Sequence, residues 1–325
     1  MANYTIGVDL GGTNLRIAAV DAEGHLIEKL TLGTQVALGR DHVVSEMCGA
    51  IRQVAERHSG SALRGIGIGV PGIIDMHTGM VRQSPNLPDW VDYPARAVIE
   101  KQLGTRVFLE NDANAAALGE KWLGAARDFD DMAMLTLGTG VGGGIVLGGR
   151  IWHGMTGMAG ELGHMTVEPD GVPCGCGNKG CLESYASATA VVRMAREAIA
   201  GGAAALARAA SDDPEFSSKA VYNLAIQGDE DARKIFRRVG RALGIALSSM
   251  VNALNLPMYV VGGGVSSAWE AFAPAIFEEL RWRSMVYKAT APESATANGA
   301  KTLVTRALLG SDAGLYGAAR LPMTP

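Results

Sequence analysis

Three apolar runs in this 325-residue chain end the same way, in a glycine turn. Residues 4–10 lead into Gly11-Gly12-Thr13, residues 132–137 into Gly138-Thr139-Gly140, and residues 259–261 into Gly262-Gly263-Gly264. Glycine takes backbone conformations closed to other residues and lets its amides approach an anion. Consecutive N–H groups in such turns form anion-binding concavities, and a threonine hydroxyl adds a donor. Taken singly, each turn reads as an ordinary hairpin. Three of them, the first preceded by Asp9, point instead to a nucleotide held between two domains. The segment Gly138-x-Gly140-x-x-Gly143 matches a dinucleotide-binding fingerprint only formally. That fingerprint opens a helix, whereas residues 145–147 read as a strand followed by Gly148-Gly149. No Gly-Lys-Ser or Gly-Lys-Thr occurs, so a Walker loop is excluded.

Around these turns strands mix with helices in the order of an α/β fold. The strand–turn–strand unit over residues 4–20 is echoed over 132–147, which suggests two related halves. Helices are expected over 43–57 and 113–122, with strands over 66–70 and 107–110. The clearest helix spans 229–254, where Ile235, Val239, Leu243, Leu247, Met250, Val251 and Leu254 recur at three and four residues, and Pro257 stops it. The length suits two domains. Their expected limits are 1–112, a smaller N-terminal α/β domain, and 113–311, a larger α/β domain carrying the cysteine loop. A helix over about 312–325 is expected to pack back on the first.

With 48% apolar and 19% charged residues the chain is not disordered. It has 29 basic against 33 acidic residues, a net charge of −4, and no run of Lys or Arg, which does not suit nucleic acid. The most apolar stretch, 242–261, is broken by Ser248, Ser249, Asn252, Asn255 and Pro257, so no membrane span is expected. Only three residues precede the first strand, leaving no signal peptide in this sequence, and a cytoplasmic location is expected.

Three of the four cysteines crowd into one loop. His164, Cys174, Cys176 and Cys181 have the spacing H-x9-C-x-C-x4-C, and Gly175, Gly177 and Gly180 let that loop wrap tightly. One imidazole and three thiolates make a closed tetrahedral zinc shell without an open catalytic position. Spectator thiols and a disulfide are the alternatives, and a cytoplasmic location disfavours the second. Glu161 and Glu183 flank the cluster; they read as surface carboxylates or as groups oriented by the metal loop. Asn111-Asp112 falls at a strand-to-helix junction, where Asp112 is equally a helix N-cap and a catalytic group. His153 has no role that the sequence assigns.

The stretches Asp9-Leu10-Gly11-Gly12-Thr13, Glu110-Asn111-Asp112-Ala113-Asn114, Gly160-Glu161-Leu162-Gly163-His164 and residues 174–183 resemble the motifs of the ROK family. That family holds bacterial sugar kinases and sugar-responsive repressors, and the resemblance runs through nearly the whole chain in order. It implies the actin-like, ribonuclease H-like ATPase fold, two α/β domains around a central cleft. It also implies transfer of the ATP γ-phosphoryl group to a sugar hydroxyl with Mg2+. On matching positions, Asp112 would be the catalytic base and Asp9 would lie near magnesium. Gly11, Gly12, Thr13, Gly138, Thr139 and Gly140 would cradle phosphates, while Gly262, Gly263 and Gly264 would border the adenosine. Asn86, Asn111, Asp112, Glu161, His164 and Glu183 would hold the sugar, with His164 giving one ring nitrogen to zinc and the other to a hydroxyl. The metal ligands would be His164, Cys174, Cys176 and Cys181.

The stretch 163–187 and the loop around Asn86 look most like those of the family's glucokinases, which implies phosphorylation of D-glucose at its 6-hydroxyl. N-acetylhexosamine kinases and fructokinases share the pattern and are the alternatives. A sugar-sensing repressor is disfavoured, since such members carry a DNA-binding domain before the first strand and tend to lose the phosphate turn or the catalytic Asp. A homodimer or higher homo-oligomer is also implied.

Overall fold

The computed structural model describes residues 3–294 and 299–324. Residues 1, 2, 295–298 and 325 of the ranges expected above lie outside the described residues. The chain opens with β1 (Asn3–Leu10), β2 (Asn14–Asp21) and β3 (Leu26–Gly33), then α1 (Arg40–Arg57) and β4 (Ala62–Val70). A small hairpin, β5 (Ile73–Asp75) and β6 (Met80–Gln83), precedes α2 (Ala95–Leu103), β7 (Val107–Asn111) and α3 (Asp112–Trp122). Next come β8 (Met132–Leu137), β9 (Val141–Leu147) and β10 (Arg150–Ile151). A helical stretch follows: α4 (Glu183–Ala186), α5 (Ala188–Ala200), α6 (Ala204–Asp212), α7 (Ser218–Ile226) and α8 (Glu230–Leu254). The remainder is β11 (Met258–Gly262), α9 (Trp269–Arg283), α10 (Met285–Thr290), β12 (Leu303–Arg306) and α11 (Ala313–Arg320).

The strands form two five-stranded sheets, ordered β3-β2-β1-β4-β7 and β10-β9-β8-β11-β12. Each sheet has its first strand in the middle, its second and third on one side and its fourth and fifth on the other. The echo read between residues 4–20 and 132–147 therefore extends to a repeated strand order. In the first sheet β1–β2 and β2–β3 are antiparallel, while β1–β4 and β4–β7 are parallel. Alternation along β1 and β4 buries Ile6, Val8, Leu10, Ile66, Ile68 and Val70 against Val43, Val44, Met47 and Ile51 of α1.

The helix read over 229–254 is α8, with Asp229 outside it as the cap. The Asp229 side chain accepts from the Ala232 N–H at 2.8 Å, and Asn255 ends the helix in the left-handed region at φ 48°. The fold divides into two compact units. One comprises Met1–Met134, Gly144–Gly160 and Leu308–Pro325; the other comprises Leu135–Gly143 and Glu161–Ala307. The terminal helix α11 belongs to the first unit and packs on α3, β1 and β4. The segments 113–134, 144–160 and 308–311, expected in the larger domain, also fall in the first unit. Among the described residues no helix is long and apolar enough to cross a membrane.

Candidate functional site

In the first unit, the carboxyl ends of three parallel strands carry the predicted groups. The register pairs Asp9 of β1 with Gly69 of β4, and Gly69 with Glu110 of β7, so these residues form one row. At ordinary strand spacing the Asp9 and Glu110 backbones are about 10 Å apart. Asp9 is half-buried, and burial pushes its carboxyl up, opposed by the Arg16 guanidinium at 3.2 Å. Arg16 also donates to the Ser311 carbonyl at 2.8 Å, which fixes the ion pair. The Gly11–Gly12–Thr13 turn is tied from outside, because Thr34 donates its hydroxyl to Gly11 O at 2.6 Å and its N–H to Thr13 O at 3.0 Å. Asn86 comes up beside this turn: a Cβ on Gly12 would lie 3.1 Å from that of Asn86. Leu87 and Trp90 are buried on either side of exposed residues, so the loop is anchored while Asn86 stays accessible.

At the end of β7 the structure decides which residue caps α3. Asn111 does, its Oδ1 accepting from the Ala113 N–H at 2.9 Å and the Asn114 N–H at 3.1 Å, while its Nδ2 donates to Gly72 O at 3.1 Å. Asp112 is the first helical residue, not the cap, and its Oδ1 accepts from the Ala113 N–H at 2.9 Å. A helix N-terminus favours negative charge there.

Next to this turn lies a pair that the sequence reading missed. Glu110 is 2% exposed, its Oε1 accepting from Asn111 N at 2.9 Å and Asn114 Nδ2 at 3.0 Å. Its Oε2 faces His153 Nε2 at 2.7 Å, and that hydrogen bond raises the His153 pKa. The partners are 43 residues apart in sequence, and no motif links them; a glutamate inside a buried strand end was the only available signal. Glu120 was missed for the same reason. It is fully buried and accepts from the N–H groups of Ala125, Leu309 and Leu308 at 2.7, 2.8 and 3.1 Å, which makes it a structural carboxylate.

In the second unit the other two glycine turns come together. Gly263 has φ 82°, and a Cβ on it would lie 2.5 Å from the backbone of Leu137, just before Gly138. Only glycine allows that approach. The carbonyls of Gly138 and Thr139 accept from the Ala188 N–H and the Thr189 hydroxyl, each at 2.8 Å, so the start of α5 holds this turn. Beside it opens a cavity of about 700 Å³, lined by Thr139, Thr189, Arg193, Arg196, Phe216 and Ser218 among others.

The cysteine loop brings its four candidate ligands together. The donor atoms of His164, Cys174, Cys176 and Cys181 all lie within 4.8 Å of one another. Zn–S bonds of about 2.3 Å in a tetrahedron give S···S edges of about 3.8 Å. The Cys176 and Cys181 sulfurs are 3.7 Å apart, and Cys174 Sγ is 3.6 Å from His164 Nδ1, so the donor set fits such an ion. Burial and the neighbouring thiols push the Cys181 thiol up, while the Asn178 backbone N–H lowers that of Cys176. Gly180, at φ 70°, passes so near the Glu168 carbonyl that no side chain would fit.

This loop also presents two carboxylates. His164 turns Nδ1 to the thiols and Nε2 to Glu161 Oε2 at 3.9 Å. Glu183 Oε2 accepts from the Val141 N–H at 2.9 Å, and Oε1 lies 3.9 Å from Cys174 Sγ. Glu161 is exposed and Glu183 half-buried. The first unit therefore assembles Asp9, Gly11–Thr13, Asn86, Asn111 and Asp112, and the second assembles Gly138–Gly140, Gly262–Gly264, Glu161, His164, Glu183 and the cysteines.

Known proteins resemble this chain over nearly its full length. The glucokinase of Thermotoga maritima is 42% identical over 276 residues, 85% of this chain and 86% of that protein. The xylose repressor of Caldicellulosiruptor bescii is 30% identical over 283 residues, 86% of this chain and 71% of the repressor. A ROK family glucokinase from Streptomyces griseus, solved in complex with glucose and AMPPNP, has a TM-score of 0.80 at 35% identity and 98% coverage of both chains. With that neighbour and the repeated strand order, the fold is the actin-like, ribonuclease H-like ATPase fold. The model of the ROK family matches residues 5–324. By that match, and by its identity to these relatives, the chain belongs to the ROK family.

Proposed function

We propose that this chain, an ATP-dependent sugar kinase, transfers the γ-phosphoryl group of ATP to the 6-hydroxyl of D-glucose in the cytoplasm. The observation that carries the reading is Asp112 itself. It stands at the helix N-terminus that follows β7, at the carboxyl edge shared with Asp9, while Asn111 caps the helix. Such an edge is where open α/β sheets place their ligands. Phosphoryl transfer asks chiefly for positioning and charge stabilisation, so Asp112 holds the attacking hydroxyl in line and takes its proton as the new P–O bond forms. Magnesium accompanies ATP near Asp9. The turns at Gly11–Thr13 and Gly138–Gly140 cradle phosphates, and Gly262–Gly264 and the cavity beside Thr139 take the nucleoside. A volume of about 700 Å³ is within the usual range for ligand pockets.

Asn86, Asn111, Asp112, Glu161, His164 and Glu183 bind sugar hydroxyls. Zinc on His164, Cys174, Cys176 and Cys181 is structural: it fixes the loop and the His164 tautomer, leaving Nε2 for the sugar. The division of the His164 ring between thiols and Glu161 supports that role. A glucokinase neighbour bound to glucose and AMPPNP, and the 42%-identical glucokinase, support glucose over the N-acetylhexosamines and fructose. The protein works as a homodimer or larger homo-oligomer, which its elution on size exclusion checks. The decisive experiment is an ADP-release assay over glucose, mannose, fructose, N-acetylglucosamine and N-acetylmannosamine, with the glucose product identified by phosphorus NMR. Fastest turnover on glucose with phosphate on O6 is expected; preference for another sugar overturns the assignment.

A further inference from the structure

We propose that His153, acting through Glu110, is a positioning residue that fixes the Asn111–Asp112 turn and so the line of attack of the sugar hydroxyl. This rests on the reading of Asp112 as the base. The chain of contacts is short. His153 Nε2 is 2.7 Å from Glu110 Oε2, and the other oxygen of that carboxylate accepts from Asn111 N and from Asn114 Nδ2. The two residues tied to Oε1 flank Asp112 on both sides in sequence, so one carboxylate governs the backbone before it and the helix turn after it.

The far end of the lever is fixed as well. Trp152 N donates to Ile145 O at 2.8 Å, and His153 O accepts from Ala159 N at 3.1 Å. The imidazole is thus held from a segment just beyond β10, independent of β7. Glu110 is 2% exposed, and a buried carboxylate stays in place only while it is paired. Without the imidazole Oε2 loses its partner, and a carboxylate free to turn no longer holds Oε1 on Asn111 and Asn114. Misplacement of a reacting group by about 1 Å can lower a rate by about 100-fold.

The test compares His153→Ala with His153→Gln, whose side-chain amide carries an N–H near the position of Nε2. The substrate is D-glucose, or the hexose turned over fastest in the panel above. His153→Ala should lower kcat by about 10- to 100-fold while the calorimetric Kd values for sugar and nucleotide stay within about twofold. His153→Gln should restore kcat to within about threefold of wild type. In an Asp112→Asn background, His153→Ala should change the residual rate by less than about twofold, because the geometry it protects no longer serves a base. Equal kcat for the Ala and Gln variants, an unchanged kcat in His153→Ala, or a loss confined to sugar affinity overturns the proposal. Should His153→Ala fail to fold, His153→Asn, whose amide is too short to reach Glu110, takes its place in the comparison. Turnover retained by Asp112→Asn alone refutes the base instead, a result separate from the His153 comparison in the wild-type background.

Discussion

Replacing Asn111 with alanine separates the capping of α3 from the chemistry beside it. The Asn111 Oδ1 satisfies two amides of the first turn, those of Ala113 and Asn114. Removing an N-cap of this kind costs about 1 kcal/mol. The bond from Nδ2 to Gly72 O, 3.1 Å long and half-buried, contributes about another 1 kcal/mol. The sum, about 2 kcal/mol, is about a 30-fold change in the unfolding equilibrium. Asn111→Ser keeps a capping oxygen without adding charge beside Glu110 and Asp112, so it should lose only the Gly72 part, about 1 kcal/mol. Urea unfolding measures both totals, and hydrogen exchange locates them: the Asn114 amide should exchange faster in the alanine variant and near the wild-type rate in the serine variant, while the Ala113 amide keeps its bond to Asp112 Oδ1. Unchanged exchange at the Asn114 amide in Asn111→Ala, or equal stability of the alanine and wild-type proteins, would refute the assignment of Asn111 as the cap.

Three further outcomes follow from other sites. Glu120→Gln turns an amide toward backbone N–H groups of residues 125, 308 and 309, and should lower stability by about 2 kcal/mol with nucleotide affinity unchanged; an unaltered urea midpoint contradicts the structural role. Purified protein should contain one zinc per chain, and Cys176→Ala should lose both zinc and sugar affinity; normal glucose phosphorylation by protein free of zinc refutes the zinc assignment. Because Glu110 raises the His153 pKa in the folded state, the pair stabilises the protein below about pH 6.5, and this advantage fades as pH rises through the folded value. The stability difference between wild type and His153→Gln should therefore be larger at about pH 6 than at about pH 9, and equal differences contradict the sign.

The long periodic elements were legible in the sequence because burial of one face writes itself into spacing. The helix read over 229–254 needed only its cap moved outside, and the terminal helix over about 312–325 narrowed to Ala313–Arg320. The glycine turns were legible because glycine marks close approach, as Gly263 against Leu137 illustrates. The gathering of His164 with Cys174, Cys176 and Cys181 was legible for another reason: these residue types are few and chemically distinctive. What stayed hidden depends on register and on distant partners. Asn and Asp are both good N-caps, and only the extended backbone at Asn111, φ −63° and ψ 142°, settles that it does the capping. The Glu110–His153 pair and the bonds of Glu120 to Leu308 and Leu309 join segments far apart in sequence, where neither spacing nor composition reports a contact.

Asp112→Asn offers the most direct trial of the proposed mechanism, with glucose and nucleotide binding measured by calorimetry beside single-turnover phosphorylation. Binding of both should persist within a few-fold, because asparagine keeps the size and the acceptor of the side chain. The rate should fall by about 1,000-fold or more, as a lost proton acceptor demands. A variant that binds glucose and phosphorylates it at a rate near that of wild type would contradict the role given to this carboxylate.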